Sequence, residues 1–125
     1  MECVPKRVLI ADDAVFFRTL LKDILLKGGF EVIAEAENGE EALERTKTLE
    51  PDIVILDVVM PIKNGLEAAR DIARLNLPLK IVMCTSLGYE PVVDEAMKLG
   101  ASAYIIKPLS EKKVLGVLNA LYQAV

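Results

Sequence analysis

The chain has 125 residues, 53% of them hydrophobic and 27% charged, with few aromatics, no Trp and no His. That size and composition predict one soluble domain with an aliphatic core that needs neither disulfides nor structural metal, and they exclude a disordered chain. A formal charge of -4 argues against a nucleic-acid surface, and the absence of His removes Ser-His-Asp catalysis, imidazole metal sites and any phosphohistidine on this chain.

Arg7–Ala11 reads as a first apolar strand, closed by Asp12 and Asp13. Phe17, Leu20, Leu21, Ile24 and Leu25 then recur at helical spacing as one apolar stripe, and Gly28-Gly29 stops that helix. Glu31–Ala36 is a second strand of mixed polarity, which suits the edge of a sheet. Asn38 followed by Glu41 predicts a capping box that opens a helix with Ala42, Leu43 and Thr46 inward, ended by Pro51. Ile53–Leu56 is an unbroken aliphatic run of the kind buried on both faces, and Asp57 stands at its end.

After a loop over 61–65, Leu66, Ala69, Ile72 and Ala73 give a third amphipathic helix. Residues 80–84 form a fourth strand, and Val93, Ala96 and Met97 predict the inward face of a helix that ends at Gly100. Ala103–Ile106 is a short fifth strand. Ser110 caps a last helix with Val114, Val117, Leu118 and Leu121 inward, leaving Leu115 and Tyr122 outside the stripe as ordinary exposed residues or partner contacts near Tyr104. Five strands alternating with five helices predict a doubly wound parallel α/β sheet in a three-layer sandwich, one domain over residues 1–125 with no output domain.

Cys3 and Cys84 lack any Cys-x-x-Cys spacing, so both are read as reduced thiols, with Cys84 a small buried hydrophobe. No apolar run approaches the ~18 residues of a membrane span, and the amino terminus, with Glu2 and Pro5, has no signal-peptide pattern. A cytoplasmic monomer without membrane or nucleic-acid partners is expected.

In open parallel sheets the ligand site lies beyond the carboxyl ends of the strands. Those ends carry Asp12 and Asp13, Asp57, Thr85 and Ser86, and Lys107 before Pro108. Clustered carboxylates repel one another, and a hard cation such as Mg2+, with Mn2+ as a substitute, relieves the repulsion while keeping positions for other ligands. Lys107 would pair with Asp57 at rest and with a phosphoryl group if one arrived, to which Thr85 could donate a hydrogen bond.

These residues give the chain a strong resemblance to the receiver domains of two-component response regulators, over essentially its whole length. The resemblance implies a flavodoxin-like sheet with strand order 2-1-3-4-5. It implies that Asp12, Asp13, Asp57 and the backbone carbonyl of Val59 hold Mg2+, and that Asp57 accepts a phosphoryl group from a histidine kinase. It further implies that Thr85 and Lys107 contact the phosphoryl oxygens, that Tyr104 is the switch aromatic, and that the peptide bond before Pro108 is cis. The segments 12–18 and 84–88 look most like stand-alone chemotaxis regulators of the CheY type. That resemblance implies a CheA-like kinase upstream. Downstream it implies a flagellar motor switch or other effector, bound on the face of the fourth helix, fifth strand and last helix. Val59 and Leu87 are apolar at positions that flank the path of the hydrolytic water, which predicts slow self-dephosphorylation.

Each residue also has an ordinary explanation. A single Asp after a strand is commonly a helix N-cap, Asp57 could be a structural carboxylate held by Lys107, Thr85 and Ser86 suit a turn, and Tyr104 suits a core. It is their convergence at the strand ends that carries the reading. A haloacid-dehalogenase-type phosphatase is disfavoured because Val59 stands where that family resembles Asp-x-Asp and no capping insertion is present. A flavodoxin-type carrier is disfavoured because Asp12-Asp13 would repel a bound phosphate, and no P-loop pattern occurs. The chain is therefore read as a phosphoacceptor signalling protein and not an enzyme. A phosphorelay intermediate, or a receiver excised from a larger regulator, is the alternative.

Overall fold

The computed structural model describes residues 5–88 and 90–122, so Glu2 and Cys3 lie outside the described residues. The strands are β1 (Arg7–Ala11), β2 (Glu31–Ala36), β3 (Ile53–Leu56), β4 (Lys80–Thr85) and β5 (Ala103–Ile106), all parallel and ordered β2-β1-β3-β4-β5. Helices α1 (Val15–Lys27) and α5 (Glu111–Leu121) cover one face, and α2 (Gly39–Leu49), α3 (Gly65–Ala73) and α4 (Glu90–Leu99) cover the other.

Strand alternation divides the core. Val8, Ile10, Ile53, Ile55, Val82, Cys84 and Ile105 pack beneath α1 and α5, whereas Leu9, Val54, Leu56, Ile81 and Met83 pack beneath the other three helices. β3 is central and wholly buried, while β2, at the edge, is mostly only partly buried, in keeping with its mixed sequence. Cys84 is buried, and burial pushes its thiol up to about 12, which makes it an inert core residue.

Local chemistry sets the helix starts. Asn38 accepts from Glu41 N–H at 2.8 Å as expected, but the Glu41 carboxylate turns back to Glu37 N–H at 2.8 Å instead of to Asn38, so the capping box is only half closed. The complete box belongs to α3, where Asn64 and Glu67 bond each other's backbone N–H at 2.9 and 3.1 Å. Ser110 caps α5 through Lys113 N–H at 3.1 Å. Neither Asp12 nor Asp13 caps α1: its N-cap is Ala14, with no side-chain bond.

Two expected faces are corrected. On α4 it is Ala96 and Val92 that pack inward, and Met97 is 44% exposed, because the row at 92 and 96 meets the core. On α5, Leu115 packs against the core, where a Cβ on Gly28 would lie 2.3 Å from it. Tyr122 lies at the amino edge of the sheet, with Lys6 Nζ 4.4 Å from its ring centroid and its hydroxyl on Asp52 C=O, whereas the Tyr104 hydroxyl meets Leu87 beyond the carboxyl end of β4. Burial, with the charge of Asp52 nearby, pushes the Tyr122 hydroxyl above its ordinary value.

Candidate functional site

Register and pleat together assemble the site. Ala11 pairs with Leu56, so the next residues, Asp12 and Asp57, leave adjacent strands side by side, with Asp57 N–H donating to Ala11 C=O at 3.0 Å. Asp12, Asp57 and Lys107 share the alternation of Ile10, Ile55 and Ile105, so all three fall on the α1/α5 side of the sheet. Lys107 Nζ donates to Asp12 Oδ2 at 2.8 Å and to Asp57 Oδ2 at 3.0 Å, and it sits 3.7 Å from the centroid of the Phe17 ring. One ammonium thus bridges two buried carboxylates over an aromatic face.

The remaining oxygens are also engaged. Asp12 Oδ1 accepts from Ala14 N–H at 2.9 Å, and Asp57 Oδ1 accepts from Val59 N–H at 3.1 Å. Asp13 is exposed, and ligand oxygens of Asp12, Asp13 and Asp57 all lie within 4.8 Å of one another. Burial raises the Asp12 carboxyl above its usual range, the bonds from Lys107 and Ala14 draw it back, and the Asp57 charge adds to the rise. Burial alone would lower Lys107, but its hydrogen bonds to Asp12 and Asp57 outweigh this and hold it above the ordinary lysine value. Two acids share one lysine here and Asp13 adds a third negative charge beside them, and oxygen donors with excess negative charge suit a hard divalent cation.

Thr85 and Tyr104 fall on the opposite alternation, with Met83 and the α2–α4 side. Thr85 is fully buried at the end of β4, and its Oγ1 accepts from Leu87 N–H at 3.4 Å. Among the described residues it makes no hydrogen bond to the acids. Tyr104 donates its hydroxyl to Leu87 C=O, so the Leu87 residue joins the two. Burial, with the charge of Asp57, keeps that hydroxyl above its ordinary value. The Lys107-Pro108 peptide is cis.

The β3–α3 loop beside the acids is fixed by two close backbone approaches. A Cβ on Gly65 would lie 1.9 Å from Asp57 O, and one on Gly39 would lie 2.2 Å from Lys63 O, so neither position admits a side chain. Lys63, bonded to Asp71 and 3.5 Å from Glu40, ties the loop to α3 and α2. Within the loop Val59 is 57% exposed, whereas Leu87, on the far side, is half-buried against the core. Ile62 holds a φ of 70°, a conformation uncommon for a β-branched residue, and no sequence signal pointed to it.

Arg18 and Arg7 are the charged residues that the sequence reading passed over. Arg18 is buried beside Asp12, and Arg7 donates to the last carbonyls of α2, Leu49 O and Glu50 O, at 3.0 Å each.

The response regulator receiver domain matches residues 8–119. The chemotaxis protein CheY of Thermotoga maritima is 47% identical over 114 residues, covering 91% of this chain and 95% of that protein. CheY of Bacillus subtilis is 43% identical over 113 residues, covering 90% and 94%. In three dimensions the chain is similar to a solved CheX-CheY-BeF3-Mg2+ complex from Borrelia burgdorferi, with a TM-score of 0.93, 34% identity and coverage of 97% of this chain and 92% of that one. A match of this extent, on a sheet whose strand ends gather acids around one lysine, has one meaning: the chain belongs to the response regulator receiver family, the phosphoaccepting switches of two-component signalling.

Proposed function

We propose that Asp57 is the phosphoacceptor and that the chain works as a stand-alone, single-domain chemotaxis regulator. The observation that carries this is the bridge of Lys107 between Asp12 and Asp57 within an acid cluster spanning 4.8 Å. A carboxylate oxygen of Asp57 attacks phosphorus, the bond from phosphorus to the kinase histidine breaks, and an acyl phosphate forms. Asp12, Asp13, Asp57 and the Val59 carbonyl would hold Mg2+, or Mn2+ in its place. Bound there, the metal neutralises the acids and the phosphoryl oxygens, which is where most of the help in phosphoryl transfer lies.

The chain's own residues then change partners. Lys107 exchanges a carboxylate for a phosphoryl oxygen, and Thr85 turns its hydroxyl from Leu87 N–H to the phosphoryl group. Since Tyr104 is held by the carbonyl of the same Leu87, movement of Thr85 releases the tyrosine toward the core. This biases the face of α4, β5 and α5, where Met97 and Ile106 are exposed. A CheA-like kinase and a flagellar motor switch or other effector are the proposed partners of this cytoplasmic monomer, supported by CheY relatives that the chain covers almost end to end.

Incubation with a small phosphodonor and Mg2+ should add the mass of one phosphoryl group to the wild type. Asp57→Asn should stay unlabelled, and equal labelling of the two would sink the assignment.

A further inference from the structure

Resting on that reading, we propose that Arg18 is a positioning residue for the metal: it fixes the Asp12-Asp13 peptide and thereby sets the affinity of the acid cluster for Mg2+. Arg18 points inward from α1, and its Nη1 donates to Asp12 C=O at 2.6 Å in a buried contact. Its Nε donates to Glu35 Oε1 on β2 at 2.9 Å, and Glu35 Oε2 accepts from Lys22 Nζ at 2.9 Å.

The consequence follows from peptide planarity. The Asp12 carbonyl lies in one rigid plane with the N and Cα of Asp13, so a donor that fixes the carbonyl fixes the direction in which Asp13 leaves the strand. Asp12 is otherwise well held: its N–H donates to Ala36 C=O at 3.1 Å and its carboxylate takes Ala14 N–H and Lys107. Asp13 is exposed and among the described residues makes no hydrogen bond, so its placement within the cluster depends on that peptide. Only a guanidinium suits the task, because its planar fork reaches the carbonyl and Glu35 together. Glu35 has a second effect. Shared with Lys22 and joined by Glu37, whose Oε1 lies 3.8 Å from Arg18 Nη2, it balances the positive charge that Arg18 would otherwise set beside a cation site.

The test measures Mg2+ binding to the full chain by calorimetry, with melting temperature in chelator recorded in parallel. Arg18→Met should raise the Mg2+ dissociation constant about 10-fold, in line with the loss of a group that orients a ligand. Arg7→Met, which disturbs the opposite edge of the sheet, should stay within about twofold of wild type. Arg18→Lys keeps the charge but not the fork and should lie between, at about threefold or more. If Arg18→Met does not fold, Arg18→Lys decides alone. Labelling of Arg18 variants at limiting Mg2+ should fall and recover at saturation. Lower melting temperatures with unchanged Mg2+ affinity would show a merely structural arginine and overturn the proposal. Failure of the wild type to bind Mg2+ would overturn the functional reading itself.

Discussion

The two edges of the sheet treat charge in opposite ways. At the amino edge Arg7 and Asp52 bond each other twice, with Arg7 N–H on the Asp52 carboxylate Oδ2 at 2.8 Å and Asp52 N–H on Arg7 C=O at 2.9 Å. The Arg7 guanidinium caps α2, so each charge there has its own local partner. At the carboxyl edge Asp12 and Asp57 are buried and share Lys107 with each other, while Asp13 adds a third negative charge. The first arrangement is complete without a ligand. The second gathers more negative than positive charge, which is what the proposed phosphoryl-transfer site would need in order to take up metal and phosphate.

Removing the central cation should break the contrast most severely. Lys107→Met leaves two buried carboxylates without their counterion and should cost about 3 kcal/mol in chelator, with part regained in Mg2+. Arg7→Met at the other edge should cost about 1 kcal/mol and respond to Mg2+ no more than wild type does. Denaturant titrations of both variants, with and without Mg2+, check the pair. If both responded alike to the metal, the two edges would not differ in the way described.

Mg2+ itself should stabilise the wild type by about 2.7 kcal/mol when present at ~100 times its dissociation constant, seen as a rise of several degrees in melting temperature. No shift at millimolar Mg2+ would count heavily against the carboxyl edge as a metal site. The next effect is kinetic. Val59→Asn and Leu87→Glu should each shorten the phosphate lifetime, together by about tenfold, by giving the hydrolytic water a hydrogen-bonding partner. Val59 should account for the larger share, because its side chain is exposed beside Asp57 while Leu87 leans on the core.

The smallest effect concerns pH. Hydrogen bonds from Lys22 and then Arg18 hold Glu35 below the usual carboxylate range. A depressed acid stabilises the fold above its unfolded pKa, and that contribution is lost as pH falls through the folded value. Glu35→Gln should therefore flatten the decline of stability below about pH 4.5, modestly, because the Glu35 side chain is 35% exposed. An unchanged acid limb in urea titrations would show that the Arg18-Glu35-Lys22 group contributes nothing there.

Much of this contrast was legible in the sequence. The aliphatic strands and the acids that end them stand next to each other in the chain, and Asn38 and Ser110 lie directly before the helices they cap. What escaped depends on distant partners. Arg18 reads as a polar residue beside the α1 stripe until β2 brings Glu35 against it. On α4 Ala96 lies inward as expected, but Val93 and Met97 fit a helical row with it as well as Val92 does, and only packing on α3 chooses between them. The Asn64-Glu67 box was available from its spacing alone. The division of the site by the pleat, with Thr85 and Tyr104 on one side and the lysine bridge on the other, required the register of the sheet.

The residue on which the phosphoryl group lands decides the role of the carboxyl edge. Wild-type chain labelled with a small phosphodonor in Mg2+ can be reduced with borohydride, which converts an aspartyl phosphate to homoserine, and then mapped by peptide mass. Homoserine at position 57 alone is the predicted result. Modification at Asp12 or Asp13, or a phosphate on a hydroxyl residue that resists the reduction, would contradict the claim that the charge imbalance at the carboxyl edge serves Asp57.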